Sequence, residues 1–344
     1  MAADPTPSAA ARAAAARARA DARLRVAIDD LLLPDDGRLD ERTRLRLFQL
    51  LTETIGGIET ALRGQAARLL TARGAARSAE SVLRGGQGAA TRLLGAGLLR
   101  DEALVEALAA EVRARLLTEA LPAVAAGIDE PSLLVRLAAV PDRVVAAAAR
   151  ALLAVDGADG VTLSAELQHR LVWWTAAAIR PADDVAEVDR AIAEAAVRSL
   201  GAHDEGLGSG VAAMRLAQAI DARPDELAPL LVEALGDRRL TLFTAVLAHA
   251  IGLCFAETLA LVLESEGERL WLALRAAQLD RATIARIALT LSDADPRRDI
   301  EAFADDIDRI AAVKPAEARL ALAPETLEPD FRAAIRALAR SGRR

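Results

Sequence analysis

Eight aromatic residues, three tryptophans and five phenylalanines with no tyrosine, are all that a chain of 344 residues carries. Strands draw on aromatic and β-branched side chains, so this chain is short of sheet-forming material. Alanine, leucine and arginine recur instead. They are strong helix formers, because alanine loses no side-chain entropy and straight side chains lose little. A hydrophobic fraction of 53% supplies a core, built mainly of alanine, leucine and valine. The expected fold is all-α, either an irregular multi-helix bundle or a short α-solenoid-like array. Short helical segments repeat, but no strict repeat period is present.

Charge and residue inventory narrow the function classes. The net charge is -7, and acidic residues are interspersed among 42 arginines and the single lysine, Lys314. That balance, with few aromatic platforms for stacking, argues against nucleic acid as a partner. Cys254 is the only cysteine, so no internal disulfide framework is possible. No stretch supplies the roughly 18 uninterrupted apolar residues of a membrane helix, and the amino terminus lacks the pattern of a secretory signal. Cytoplasmic residence is the expectation. No cofactor motif is present. GGQG at 85–88 lacks the lysine and hydroxyl residue of a phosphate-binding loop and reads as a helix connection.

Punctuation divides the chain. Residues 1–22 form an Ala/Arg-rich leader, expected to be flexible, in which Arg12, Arg17 and Arg19 give local positive charge. Residues 23–200 read as an N-terminal helical region. Within it, Gly56 and Gly57 are expected to separate two helices. Leu45, Phe48, Leu51 and Ile55 fit one buried stripe. Pro131 and Pro141 sit near helix starts, where a missing amide proton costs nothing. DGADG, with Asp156 and Asp159, lacks the ligand pattern of a calcium loop. GAHDEGLGSG, within 201–224, reads as a mobile polar connection and a candidate boundary between halves. Residues 225–313 read as a compact C-terminal module, and 314–344 as a linker and terminal helix.

Few residues offer chemistry. Glu166 and His169 lie three apart on one predicted helix, where a local hydrogen bond or salt bridge is the expected role. His203 and Asp204 are adjacent, and a catalytic role there would require a third group from elsewhere. His249 and Cys254 lie in apolar surroundings and are expected in the core. Adjacent Trp173 and Trp174 must point in different directions around a helix. One is expected to enter the core and the other to reach an interhelical or subunit boundary, making the pair a possible partner contact. Seven carboxylates from Asp293 to Asp308 read as a solvated helix face braced by arginines.

The C-terminal half carries DELAPLLVEALGDRRLTLFTAVLAHAIGL followed by SEGERLWLALRAAQLDRATIARIAL. Within the first run Asp237, Arg238 and Leu242 precede Phe243, Gly252 separates two helical runs, and Gly267 precedes ERLWLALRAAQLDRA. Over about residues 225–313 the chain resembles the bacterial domain of unknown function 2336, a family seen largely in alphaproteobacteria. GLCFAETL departs from the proline-containing connection of many relatives. The resemblance implies an all-helical fold and carries no catalytic motif. Independently, Leu242, Val246 and Ile251, then Leu259, Val262 and Leu263, then Leu270, Leu274 and Leu279 form stripes that need neighbours to cover them.

The leading expectation is therefore a non-enzymatic protein-interaction or regulatory scaffold with a protein partner and the possibility of homo-oligomers. The alternative is a hydrolase or phosphotransfer enzyme whose site is assembled from distant helices, with Glu166, His169, His203 and Cys254 as its candidates.

Overall fold

The computed structural model describes residues 39–86, 88–122, 131–155, 161–181, 185–328, 331, 332, 334, 335 and 338. The leader 1–22 and the DGADG acidic residues lie outside them. The described residues hold sixteen α-helices and no strand. In chain order they are α1 (Glu41–Ala72), α2 (Ala76–Arg84), α3 (Ala89–Gly95), α4 (Glu102–Ala120), α5 (Leu133–Ala138), α6 (Arg143–Val155), α7 (Ala165–Ala178) and α8 (Ala186–Gly201). Then come α9 (Ser209–Ile220), α10 (Pro224–Gly236), α11 (Leu240–Ile251), α12 (Phe255–Val262), α13 (Glu268–Ala276), α14 (Arg281–Ala294), α15 (Ile300–Ala312) and α16 (Pro315–Ala321).

Side chains start these helices and left-handed residues stop them. Asp101, Asp280 and Asp299 accept hydrogen bonds from the amides of Leu104, Thr283 and Ala302, each satisfying an orphan donor of a first turn. At the other end, Gly252 takes φ +73° and lets the Leu253 amide donate to the Ala248 carbonyl at 3.1 Å. The same closure recurs from Arg239 to Ala234 and from Leu279 to Leu274, with Arg238 and Gln278 in the left-handed position.

The chain divides into two units, residues 1–45 and residues 46–344. Described residues of the first unit open α1, where the Thr43 amide donates to Asp40 at 2.8 Å. Inside the larger unit lie two apolar cores. The first gathers Ile55, Leu62 and Leu70 of α1 with Leu171 and Val172 of α7 and Ala191 and Ile192 of α8. The second gathers α5, α6 and α9–α16 around Phe243, Leu247 and Leu274. Helix α4 belongs to both: Leu104, Leu108 and Val112 enter the first core, whereas Leu117 and the following Leu121 enter the second. Membership is interleaved in sequence. Helix α5 packs on α6 and α6 on α9, while α7 and α8, which follow α5 and α6, return to the first core.

Two expectations about α1 are corrected. The helix runs unbroken through Gly56 and Gly57. Each interior glycine costs about 1 kcal/mol relative to alanine, which the burial of Ile55, Ile58, Leu62, Ala66 and Leu70 outweighs. Leu45 and Phe48 do not join the buried stripe. Phe48 lies one heptad before Ile55 on the same face, yet it is 53% exposed while Ile55 is fully covered.

No single described helix is long and apolar enough to cross a membrane. Helices α11 and α12 together have that composition, but they bend by 115°. Leu240, Leu242, Phe243 and Leu247 of α11 are buried in the second core.

The compact packing continues past residue 313. Helix α16 packs on α13, Ala318 and Leu322 enter the second core, and the Arg275 guanidinium donates to the Val313 carbonyl at 2.9 Å.

Candidate functional site

The residues singled out from sequence fall at scattered places. On α7, the Trp173 indole N–H donates to His169 Nε2 at 3.1 Å, one helical turn away. That leaves His169 Nδ1 to carry the proton of the neutral ring. Glu166 instead reaches Arg170 at 3.4 Å. Trp173 and Trp174 are both half-buried against the first core. The expectation that one of them enters the core is corrected: Leu171, Val172 and Thr175 fill the inward positions.

The connection after α8 is anchored by side chains. His203 Nε2 donates to the Leu163 carbonyl at 3.0 Å, and Asp204 accepts from the Gly206 amide at 2.8 Å. Glu205 accepts from the Ala165 amide, at the first turn of α7. These contacts tie the connection to α7 and occupy the polar groups of His203 and Asp204.

His249 and Cys254 are also corrected, since neither is a core residue. Cys254 is exposed and His249 is half-buried. The reason is the chain reversal at Gly252, which brings the last turn of α11 and the first of α12 to the surface. His249 Nε2 lies 2.9 Å from Asp221 Oδ1, at the end of α9. A carboxylate can only accept, so Nε2 carries the proton.

A concave site lies between α13, α15 and the turn preceding α13. Gly267 takes φ +70° immediately before α13. With no Cβ there, the Trp271 indole packs directly on the glycine: a Cβ would fall 2.7 Å from Trp271 Cζ2. Trp271 then meets Phe303 of α15 with ring centroids 4.7 Å apart and planes tilted by 55°. This tilt suits the quadrupoles of two aromatic rings. Both rings are buried and belong to the second core. Above them is a groove of about 370 Å³, walled by Leu272, Ala302, Ile310 and Val313.

The rim is acidic. It carries Glu266, Glu268, Asp299 and Asp306 against Arg297 and Arg309. Both guanidinium groups are already engaged, Arg309 with Asp306 at 2.6 Å and Arg297 with Asp295 at 2.8 Å. The Glu266 carboxyl is held below its ordinary 4.5 by its own backbone N–H and then by the Ser265 hydroxyl, so it is ionised at neutral pH. Asp299 caps α15 through the Glu301 and Ala302 amides. Glu266, Glu268 and Asp299 face the groove; the charges of Arg297 and Arg298 reach Glu266 and that of Arg309 reaches Glu268, and four carboxylates against the two rim guanidinium groups leave the lip acidic. The arrangement can bind an apolar group on the aromatic floor and positive charge at the lip.

Three of the seven carboxylates from Asp293 to Asp308 pair with arginines: Asp306 with Arg309, Asp308 with Arg281 and Asp295 with Arg297. Asp295 is the exception to a solvated face: it is buried beside the buried Arg298, whose Nη2 donates to the Val262 carbonyl. Among the described residues, no three His, Cys, Asp or Glu side chains converge as a metal-ligand group.

Sequence reasoning missed the groove because Trp271 and Phe303 are far apart in the chain. One local signal was present: Gly267 precedes the only tryptophan of the C-terminal half by one turn. No family model matches this chain, and no curated protein or solved structure matches it.

Proposed function

We propose that this chain is a non-enzymatic interaction module whose Trp271–Phe303 groove seats a basic amphipathic helical segment of a protein partner. The observation that carries this reading is the pairing of a buried aromatic floor with a lip on which carboxylates outnumber guanidinium groups, four to two. Tryptophan-floored pockets anchor interfaces, because one large apolar side chain buried there excludes water from the surrounding contacts. Arginine or lysine flanking that anchor would complete Glu266, Glu268 and Asp299, and charge complementarity of this kind speeds encounter and fixes register. A regulatory scaffold role, and membership of the family that residues 225–313 resemble, fit this reading and belong to the same proposal.

The chain's own sequence supplies a suitable probe. EPDFRAAIRALARSGRR, residues 328–344, carries Phe331, Ile335 and Leu338 at helical spacing with five arginines. A fluorescent peptide of this sequence, titrated into the whole protein and read by anisotropy, should bind saturably and more weakly as salt rises. Glu268→Arg should weaken it by about tenfold, and a peptide with glutamate in place of arginine should not bind. Equal binding of the acidic peptide, or indifference to Glu268→Arg, would overturn the assignment.

A further inference from the structure

A second cavity, of about 320 Å³, lies away from the groove, between the ends of α9, α11 and α13 and the face of α16. Its walls are apolar: Ile220, Leu227, Leu230, Val246 and Ala250 are among them. Its polar side chains are few, namely Asp221, His249, Gln278 and Arg319. That composition, an open apolar cleft edged by a few exposed polar groups, resembles the build of small-molecule sites, which pair apolar walls with a few polar groups.

The backbone marks the same place. Three non-glycine residues take left-handed conformations in the described chain: Asp221 at φ +43°, Arg238 at +56° and Gln278 at +66°. Two of the three line this cavity. A glycine would close either helix at lower backbone cost, as Gly252 does at the end of α11. Strained conformations persist where the surroundings hold them, and they gather at ligand sites. Keeping side chains at 221 and 278 puts an aspartate and an amide where glycine would leave nothing.

Those side chains have definite roles. Asp221 accepts from His249 Nε2 at 2.9 Å, fixing the ring across two helices, and its charge is engaged there. The Gln278 amide and the Arg319 guanidinium make no hydrogen bond or ion pair among the described residues. The site therefore offers two unengaged donor groups, one of them a permanent cation, beside an oriented imidazole and an apolar chamber. Such a set is complementary to a carboxylate or phosphate head on an apolar body, because guanidinium and amide donors both bond to a shared anionic oxygen pair.

The geometry points to a binding site for a small amphipathic anion, with its head on Arg319 and Gln278 and its apolar body against Leu227, Leu230 and Val246. It is independent of the groove above.

Calorimetric titration of the whole protein tests it with four probes of one chain length: octanoate, octyl phosphate, octanol and octylamine. At least one anion should bind saturably, and octanol and octylamine should bind at least about tenfold more weakly, since a charge-assisted hydrogen bond is at stake. The stronger of the two anions identifies the head group. Arg319→Gln changes an exposed residue and should reduce anion binding by about tenfold while leaving the thermal unfolding temperature unchanged. Gln278→Gly should also weaken the anion while keeping the fold. Absence of saturable binding for both anions, octanol binding as tightly as the stronger anion, or unchanged affinity in Arg319→Gln would overturn the proposal.

Discussion

Gly267 and Gly252 provide a matched pair for testing the groove floor. Both take left-handed backbone, at φ +70° and +73°. They differ in what a Cβ would meet. At Gly252 nothing lies within 4 Å. At Gly267 the new atom would fall 2.7 Å from Trp271 Cζ2 and 2.8 Å from Cε2. Carbon atoms settle near 3.5–4.0 Å, so Trp271 must retreat by about 1 Å. Its retreat is opposed by Phe303, packed at 4.7 Å between centroids. Gly252→Ala should cost about 1 kcal/mol, the left-handed penalty less the entropy removed from the unfolded chain. Gly267→Ala carries the same cost plus an overpacking term of about 1–3 kcal/mol. Urea unfolding followed by circular dichroism measures both, and the near-ultraviolet spectrum should change only in Gly267→Ala. Equal costs, with an unchanged tryptophan signal, would refute the close packing of Trp271 on Gly267 and with it the rigid floor.

Three other outcomes follow from the structure. Leu274 is fully buried in the second core; Leu274→Asp should cost several times more than Leu274→Met, which should cost less than about 1.5 kcal/mol, in the same unfolding assay supplemented by limited proteolysis. Gln278→Gly relieves a left-handed non-glycine residue and should change stability by no more than about 1 kcal/mol, in the stabilising direction, so destabilisation would indicate that the side chain holds the fold. Burial raises the Asp295 pKa, but its bond with Arg297 and the charges of Arg297 and Arg298 prevail and hold it below the ordinary 3.8. Its contribution to stability is therefore complete above that value and lost as pH falls through the depressed folded pKa. Asp295→Asn should be less stable at neutral pH and show a shallower acid loss in a series of urea midpoints.

The helical class was legible because alanine, leucine and arginine dominate and strand-forming residues are scarce. Leu242, Leu270, Leu274 and Leu279 are inward as their spacing predicts, since helical periodicity fixes which face is apolar. Periodicity does not fix which neighbour covers that face. Phe48 shares a face with Ile55 and remains exposed, and α7 returns to a core that α5 and α6 do not enter. The functional positions were hidden for the same reason. In sequence His249 lies near Cys254, but its partner is Asp221, at the end of α9. The aromatic floor joins α13 to α15, and nothing in the spacing of Trp271 and Phe303 announces their contact.

The interleaving of the two cores has a consequence during synthesis. A ribosome delivers the chain in order, so α1–α4 emerge first and must wait for α7 and α8 before their apolar faces close. In the interval α5 and α6 appear, and the cover of α6, α9, is made only after α8. For that stretch of elongation the nascent protein exposes unfinished halves of both cores at once. Chains with incompletely covered apolar surface are prone to misassembly. The order of the helices thus keeps both cores open from the emergence of α5 until α9 docks.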